Sequence, residues 1–206
     1  MTGDDVRHIS RGFRGRRPEQ PDESRLPPGQ YLVEDFPVLS AGPTPYTALE
    51  EWTLSIVSGG ARTKSWSWTE FRALPSEKIN ADIHCVTKWS KLDTFWEGVS
   101  IDVVLEDVEH EATHVLALCD GDYTTNLPLE DVVDGKAWIA FAYDGEDLEP
   151  EHGGPARLLV PHLYFWKSAK WVRELRLLDH DEPGFWEAYG YHMYGDPWLE
   201  QRYWGD

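Results

Sequence analysis

The feature that most constrains this chain is how briefly each periodic segment lasts: apolar and polar residues alternate in short runs that close at glycine or proline. Trp52, Leu54 and Ile56 alternate with Thr53, Ser55 and Val57, Gly59-Gly60 turns the chain, and Ser65-Trp66-Ser67-Trp68 alternates again. That pattern predicts a pair of strands, followed by a short helix capped at Thr69 and stopped by Pro75. Ile79, Ala81 and Ile83 then alternate with Asn80, Asp82 and His84, which predicts a half-buried strand, the first set inward and the second outward, ending near Cys85. Further strands are predicted over 114–118, 138–143, 157–160 and 171–178, with a short extended piece at 124–127 and a turn at Asp144-Gly145. Ile101, Val104, Leu105 and Val108 have helical spacing within 98–109, with Ser100 as cap, and Pro128 suits the first turn of a short helix over 128–133. Strands outnumber short helices, and no internal repeat or strict βαβ rhythm appears. The class that follows is α+β, mostly β, around a substantial sheet or barrel-like core.

At 206 residues the chain is long enough for one generous domain. Its formal charge is -18, and the first 25 residues run against that sign, with six Arg against five acids. Residues 1–24 are polar and punctuated by Gly and Pro, which predicts a flexible or surface-wrapping arm ahead of a domain over 25–206. Five prolines between 27 and 45 predict an extended segment laid on that domain. The acidic field disfavours nucleic acid and anionic membranes as partners. No apolar stretch approaches the roughly 18 residues of a membrane span. Arg16-Arg17 is followed by polar residues rather than by the apolar run of an export signal, and two cysteines do not make a stapled scaffold, so a cytoplasmic, reducing location is expected. The aromatic tail over 183–198 is expected to pack back on the domain.

Two stretches carry candidate chemistry. Cys85, at a predicted strand end, reads as a small buried hydrophobe, a nucleophile or a soft metal ligand, the last two requiring the thiolate. His84 and Lys88 are cationic neighbours that would lower a thiol pKa, although strand alternation sends His84 to the other face. Further on, Arg157, Lys167 and Lys170 gather within fourteen residues beside His152, His162 and the Gly153-Gly154 pair. Against so acidic a background, that cluster reads either as an anion site, with a guanidinium fork and a Lys-Ser-Ala-Lys loop, or as ion pairs to the abundant carboxylates.

Taken together, Ile83-His84-Cys85-Val86-Thr87-Lys88-Trp89-Ser90, Asp122-Tyr123-Thr124-Thr125-Asn126-Leu127-Pro128, the run from Gly153 to Lys170, and Gly190-Tyr191-His192-Met193 with Gly195-Asp196-Pro197-Trp198 resemble the small sulfite-oxidase-like molybdopterin oxidoreductases. The resemblance runs from about Arg25 to the C-terminus and implies the sulfite oxidase fold around one molybdopterin with a single Mo. It implies that Cys85 is the protein ligand to Mo, with His84 and Lys88 beside the metal and Lys88 attracting an anionic substrate. It assigns the pterin phosphate to Arg157, Ser168, Ala169 and Lys170 with Lys167 in the same loop, and makes His152, Thr124, Thr125 and Asn126 pterin neighbours. Cys119 matches no ligand position. The implied activity is oxygen-atom transfer to or from a small oxyanion or an S- or N-oxide, with a separate electron-transfer partner. The arginines usual around sulfite do not map onto this chain. The alternatives are an acidic binding module with exposed aromatics, and a molybdopterin carrier without turnover.

Overall fold

The computed structural model describes residues 23–206, so the N-terminal arm expected over 1–24 lies almost entirely outside the described residues. The elements run β1 (Tyr31–Leu32), β2 (Thr53–Ser58), β3 (Ala61–Ser67), α1 (Trp68–Arg72), β4 (Glu77–His84), β5 (Trp89–Ser100), α2 (Ile101–Leu105), β6 (His114–Cys119), β7 (Thr124–Pro128), β8 (Trp138–Tyr143), β9 (Glu146–Asp147), β10 (Arg157–Leu159), β11 (Val172–Leu178) and α3 (Phe185–Ala188). One sheet follows the order β1-β5-β8-β10, with β4 added to β5 and β9 to β8; the other follows β3-β2-β11-β6-β7. The class is the expected α+β, mostly β with short helices.

The main core lies under the second sheet and the helices, where Trp52, Leu54, Ile56 and Phe71 are fully buried with Ile139, Leu158 and Val172. Each fully buried side chain of this size stabilises the fold by roughly 1.5–3 kcal/mol. A smaller cluster holds Ile79, Ile83, Cys85, Trp89, Trp96 and Phe165 together beneath the β4–β5 hairpin. Cys85 therefore sits at the edge of a packed aromatic wall.

Several local expectations change. The helix expected over 98–109 is only α2, because Val99 and Ser100 are the last residues of β5, paired with Ile139 and Trp138 of β8. The predicted cap is kept, with the Asp102 N–H donating to the Ser100 hydroxyl. The first helix starts earlier than expected, since Ser67 rather than Thr69 caps it in a reciprocal box with Glu70. The short helix expected over 128–133 is a single 3-10 turn, Leu129–Asp131, with Pro128 as its N-cap. The twelve-residue β5 has no counterpart in the sequence reading, and its burial explains why: Thr94 is buried while Phe95 is exposed, the reverse of an apolar-in pattern. Where β5 crosses β8, Gly98 is required, because a Cβ there would lie 2.7 Å from the Ile139 carbonyl oxygen.

The structure also corrects His84, expected outward. A register shift between Ala81 and Ile83 resets the alternation of β4, so Ile83 and His84 are both buried. The His84 Nδ1 lies 2.8 Å from the Ser90 hydroxyl directly across the hairpin, and its ring meets Trp198 edge to face.

Candidate active site

The β4–β5 hairpin closes with the Lys88 N–H donating to the Cys85 carbonyl and the Cys85 N–H donating to the Trp89 carbonyl, at 2.9 and 2.8 Å. Lys88 takes the left-handed backbone position that such a turn demands before the strand resumes, with φ 78. Gln30 donates through Nε2 to the Cys85 carbonyl, so the segment ahead of β1 braces the turn from outside. The Cys85 thiol faces a cavity of about 290 Å³. Its walls come from the hairpin (Cys85, Val86, Thr87, Trp89), the segment around Phe36–Ala41, Tyr123, His152, Arg157, Phe165 and Trp166, the run from Ser168 to Trp171, and Trp186 with Tyr191 of the tail.

At the sulfur, the Thr87 hydroxyl donates to Sγ at 3.1 Å. Burial pushes the Cys85 thiol up, while the Thr87 hydroxyl, the Thr87 and Val86 N–H groups and the Arg202 charge pull it back. Donors aimed at a sulfur in a partly dry wall favour a thiolate once a cation is present to compensate it.

At the other side of the cavity, Arg157 is 1 % exposed. Its two terminal nitrogens donate to the carbonyls of His152 and Ser168 at 2.7 and 2.6 Å, and its face lies 4.2 Å from the Phe165 ring centre. No carboxylate pairs with it among the described residues, its Nε has no acceptor, and burial presses its pKa down to about 9, so it is charged at neutral pH. Lys170 donates to the Glu151 carbonyl at 2.6 Å; burial and then Arg157 press it down to about 8. Gly153 lets these two cations converge: its φ is +106, and a Cβ there would lie 3.0 Å from the Cβ of Lys170 and 3.1 Å from that of Arg157. His152 stacks on Phe36 at 4.2 Å, and burial followed by the two cations lowers its pKa. Among the described residues no Asp or Glu lines the cavity, although the chain carries 37 of them.

The structure thus brings together Cys85, His152, Arg157, Ser168, Ala169 and Lys170 around one space. It does not bring His84, Lys88, Thr124, Thr125, Asn126 or Lys167 to that wall. Lys88 is exposed on the outside of the turn and His84 is buried behind it. Lys167 points away from the cavity into a buried network, 2.6 Å from Glu187 and donating to the carbonyl and side-chain oxygens of Asn126 and to the Met193 carbonyl. Thr125 donates to the same Glu187 carboxylate, so β7 contributes to this second network rather than to the lining. The sequence reading missed Phe36, Tyr123, Trp166, Trp171, Trp186 and Tyr191 as wall residues. For Phe36, Trp186 and Tyr191 the signal was the aromatic content of the proline segment and the tail, which identifies packing but no destination; Tyr123, Trp166 and Trp171 lie within or beside the quoted motifs and were not singled out there.

An anionic group with a soft metal fits what is present. A buried guanidinium without a counter-charge, the unpaired Nε of Arg157 and the unpaired indole N–H of Trp89 offer donors to an anion in the cavity. Among the described residues no group of three or more His, Cys, Asp or Glu is disposed around a metal, so a metal held at Cys85 would need its remaining ligands from a bound group.

Comparison with known proteins agrees with this chemistry. The family model described as the oxidoreductase molybdopterin binding domain matches residues 41–186. The oxidoreductase YuiH of Bacillus subtilis (strain 168) is 42% identical over 192 residues, covering 92% of this chain and 97% of that protein. The protein-methionine-sulfoxide reductase catalytic subunit MsrP of Gluconobacter oxydans (strain 621H) is 28% identical over 180 residues, covering 74% of this chain and 57% of MsrP. The mitochondrial sulfite oxidase of Drosophila melanogaster is 24% identical over 187 residues, 77% of this chain but 32% of that enzyme. In structure, the sulfane dehydrogenase SoxCD of Paracoccus pantotrophus superposes with a TM-score of 0.60 at 20% identity, over 86% of this chain and 57% of the other. By sequence the chain belongs to the molybdopterin-binding oxidoreductases, and it has the sulfite-oxidase-like fold.

Proposed function

We propose that residues 25–206 form a single catalytic domain that holds one pterin with a single molybdenum and reduces a small, neutral S- or N-oxide. The observation that carries this reading is the placement of the Cys85 thiol and of two cations, Arg157 and Lys170, that bond only carbonyls, on one cavity free of carboxylates. Arg157, Lys170 and the loop through Ser168 and Ala169 would hold the phosphate end, with His152 stacked on Phe36 beside it. Cys85 would supply the single protein thiolate. Bound there, the molybdenum–pterin group supplies two-electron oxygen-atom transfer.

The protein's own part is to bind, orient and keep water out. Phe36, Trp89, Phe165, Trp166, Trp186 and Tyr191 make a largely apolar enclosure in which the charges of Arg157 and Lys170 act at low dielectric. The cavity residues on the Cys85 side, Val86, Thr87, Trp89 and Tyr191, are uncharged, Lys88 is exposed outside the lining, and Arg202, whose charge reaches the sulfur, is outside the lining and taken up by the carbonyls of Val86 and Pro28. That supports a neutral oxide over an oxyanion such as sulfite, which would need cations there. Reduction of a sulfoxide takes two electrons and two protons: the sulfur–oxygen bond breaks, and the products are the sulfide and water. This chemistry matches the name of the methionine-sulfoxide reductase relatives. A separate electron donor is part of the proposal, as is a cytoplasmic location in keeping with two free cysteines.

The test is elemental analysis for Mo and fluorescence of the acid-oxidised pterin on purified protein and on Cys85→Ser. Reduced viologen with dimethyl sulfoxide, methionine sulfoxide or an amine oxide is compared with sulfite and ferricyanide. The expected result is Mo and pterin in the parent, loss of Mo or of turnover in Cys85→Ser, and oxide reduction faster than sulfite oxidation. Protein without Mo from a host that makes the cofactor, or a Cys85→Ser variant of full activity, overturns the reading.

A further inference from the structure

The tail that closes the cavity also carries rings from its wall to the surface. Trp186 and Tyr191 line the cavity with ring centres 4.9 Å apart. Tyr191 meets Tyr203 at 5.4 Å, Trp186 meets Tyr189 at 6.4 Å, and the Trp204 N–H donates to the Gly190 carbonyl at 2.9 Å. At the outer end, Tyr189, Tyr203 and Trp204 are 73 %, 54 % and 86 % exposed. Indole and phenol rings left in water as a contiguous patch mark a contact surface, since these side chains dominate the centres of protein interfaces.

The charge around the rings selects the partner. Residues 179–206 contain seven Asp and Glu against one Arg, Arg202. Arg202 is buried, donates to the carbonyls of Val86 and Pro28 and lies 3.5 Å from the Glu200 carboxylate, so its charge is spent on that one acid and not presented outward. Of the remaining acids, Asp206 is exposed and Glu182 partly exposed. A second copy would set this acidic patch against itself, because a two-fold interface pairs like with like. A basic partner meets both features.

We propose that this face, Tyr189, Tyr203 and Trp204 with the surrounding carboxylates, is the docking site of a small basic electron-carrier protein. The proposal rests on the oxidoreductase reading above. Each oxide reduced consumes two electrons and two protons, so a one-electron carrier docks twice per turnover and must leave between visits. A small aromatic centre with a charged surround suits such contacts, giving fast, salt-sensitive association without tight retention. The ring path ends on residues of the cavity wall, which places the docked carrier next to the site it serves.

The test uses a mitochondrial-type cytochrome c as basic probe and the soluble domain of a cytochrome b5 as acidic control, titrated calorimetrically into the purified full chain at low and at moderate salt. Binding of the basic probe is expected to weaken on the order of tenfold with salt. Trp204→Ala and Tyr203→Ala, which alter no charge, are each expected to weaken it by roughly tenfold at low salt. The double variant Glu109→Gln/Glu111→Gln, exposed but outside this face, leaves it unchanged. Equal binding of the acidic control, indifference to both ring substitutions, or a self-associated chain that Trp204→Ala makes monomeric overturns the proposal. Molybdenum content is measured on the same samples, so a failed docking face and a failed catalytic reading are separately visible.

Discussion

Replacing Lys167 by Met in the cofactor-free chain removes the cation from a closed polar network behind the cavity wall. The Lys167 ammonium lies 2.6 Å from Glu187, with neither side chain exposed, and also donates to Asn126 and Met193. Met fills nearly the same volume and donates nothing. Glu187 would retain only the Trp166 indole N–H at 2.8 Å and the Thr125 hydroxyl at 3.4 Å on one oxygen, while its other oxygen has no partner even now. Breaking a buried pair from one side costs about 3–5 kcal/mol, because a desolvated charge is left behind. At about 2–4 °C per kcal/mol for a chain of this size, the melting temperature should fall by roughly 6–20 °C. Glu187→Gln, which leaves Lys167 its carbonyl acceptors, should cost less, roughly 1–3 kcal/mol. Urea unfolding of the parent and both variants at about pH 7, followed by circular dichroism, measures both losses. A loss under about 1 kcal/mol in the Met variant, or a larger one in Glu187→Gln, would refute the reasoning.

Other outcomes follow from the same geometry. His84, pressed down to about 4 mainly by burial from an ordinary 6.5, takes its proton in the unfolded chain first; stability is therefore full above pH 6.5 and falls by about 3 kcal/mol as the pH drops to 4, a slope that His84→Gln should flatten in urea titrations. Gly153→Ala forces a Cβ against Lys170 and Arg157 at a positive φ, so pterin content after purification should fall several-fold and the melting temperature with it. Arg157→Met should abolish the gain in melting temperature between cofactor-free and cofactor-loaded protein while leaving a folded chain, as judged by far-ultraviolet circular dichroism; an undiminished gain removes Arg157 from the binding set.

How much of the site was legible depended on how local its signals are. Cys85 at a strand end and the Arg157–Lys170 cluster stood out because a rare thiol and a cationic run in an acidic chain are visible without tertiary information. Lys167 could not be separated from Lys170 in that way. Three residues apart on a tight turn, they point to opposite sides, and only the structure shows one facing the cavity and the other saturated by Glu187, Asn126 and Met193. His84 was misplaced because strict alternation was carried through a bulge that the sequence does not advertise. The long β5 escaped for a related reason, since its buried face includes Thr94 and its exposed face Phe95. The aromatic wall was expected only as packing, because ring content states that burial will occur and not where.

By itself, the sequence determined what is set by neighbours along the chain: short strands closed by Gly and Pro, the capped helix at Ser100, the acidic surface, and the side-chain chemistry able to hold an anion and a soft metal. The tertiary structure alone decided which of those side chains share a space. Cys85 and Arg157, 72 positions apart, meet on one cavity because two sheets, a glycine that admits two cations side by side, and an aromatic tail fold around it. Such convergence depends on long-range pairing and packing, which no window of neighbouring residues encodes.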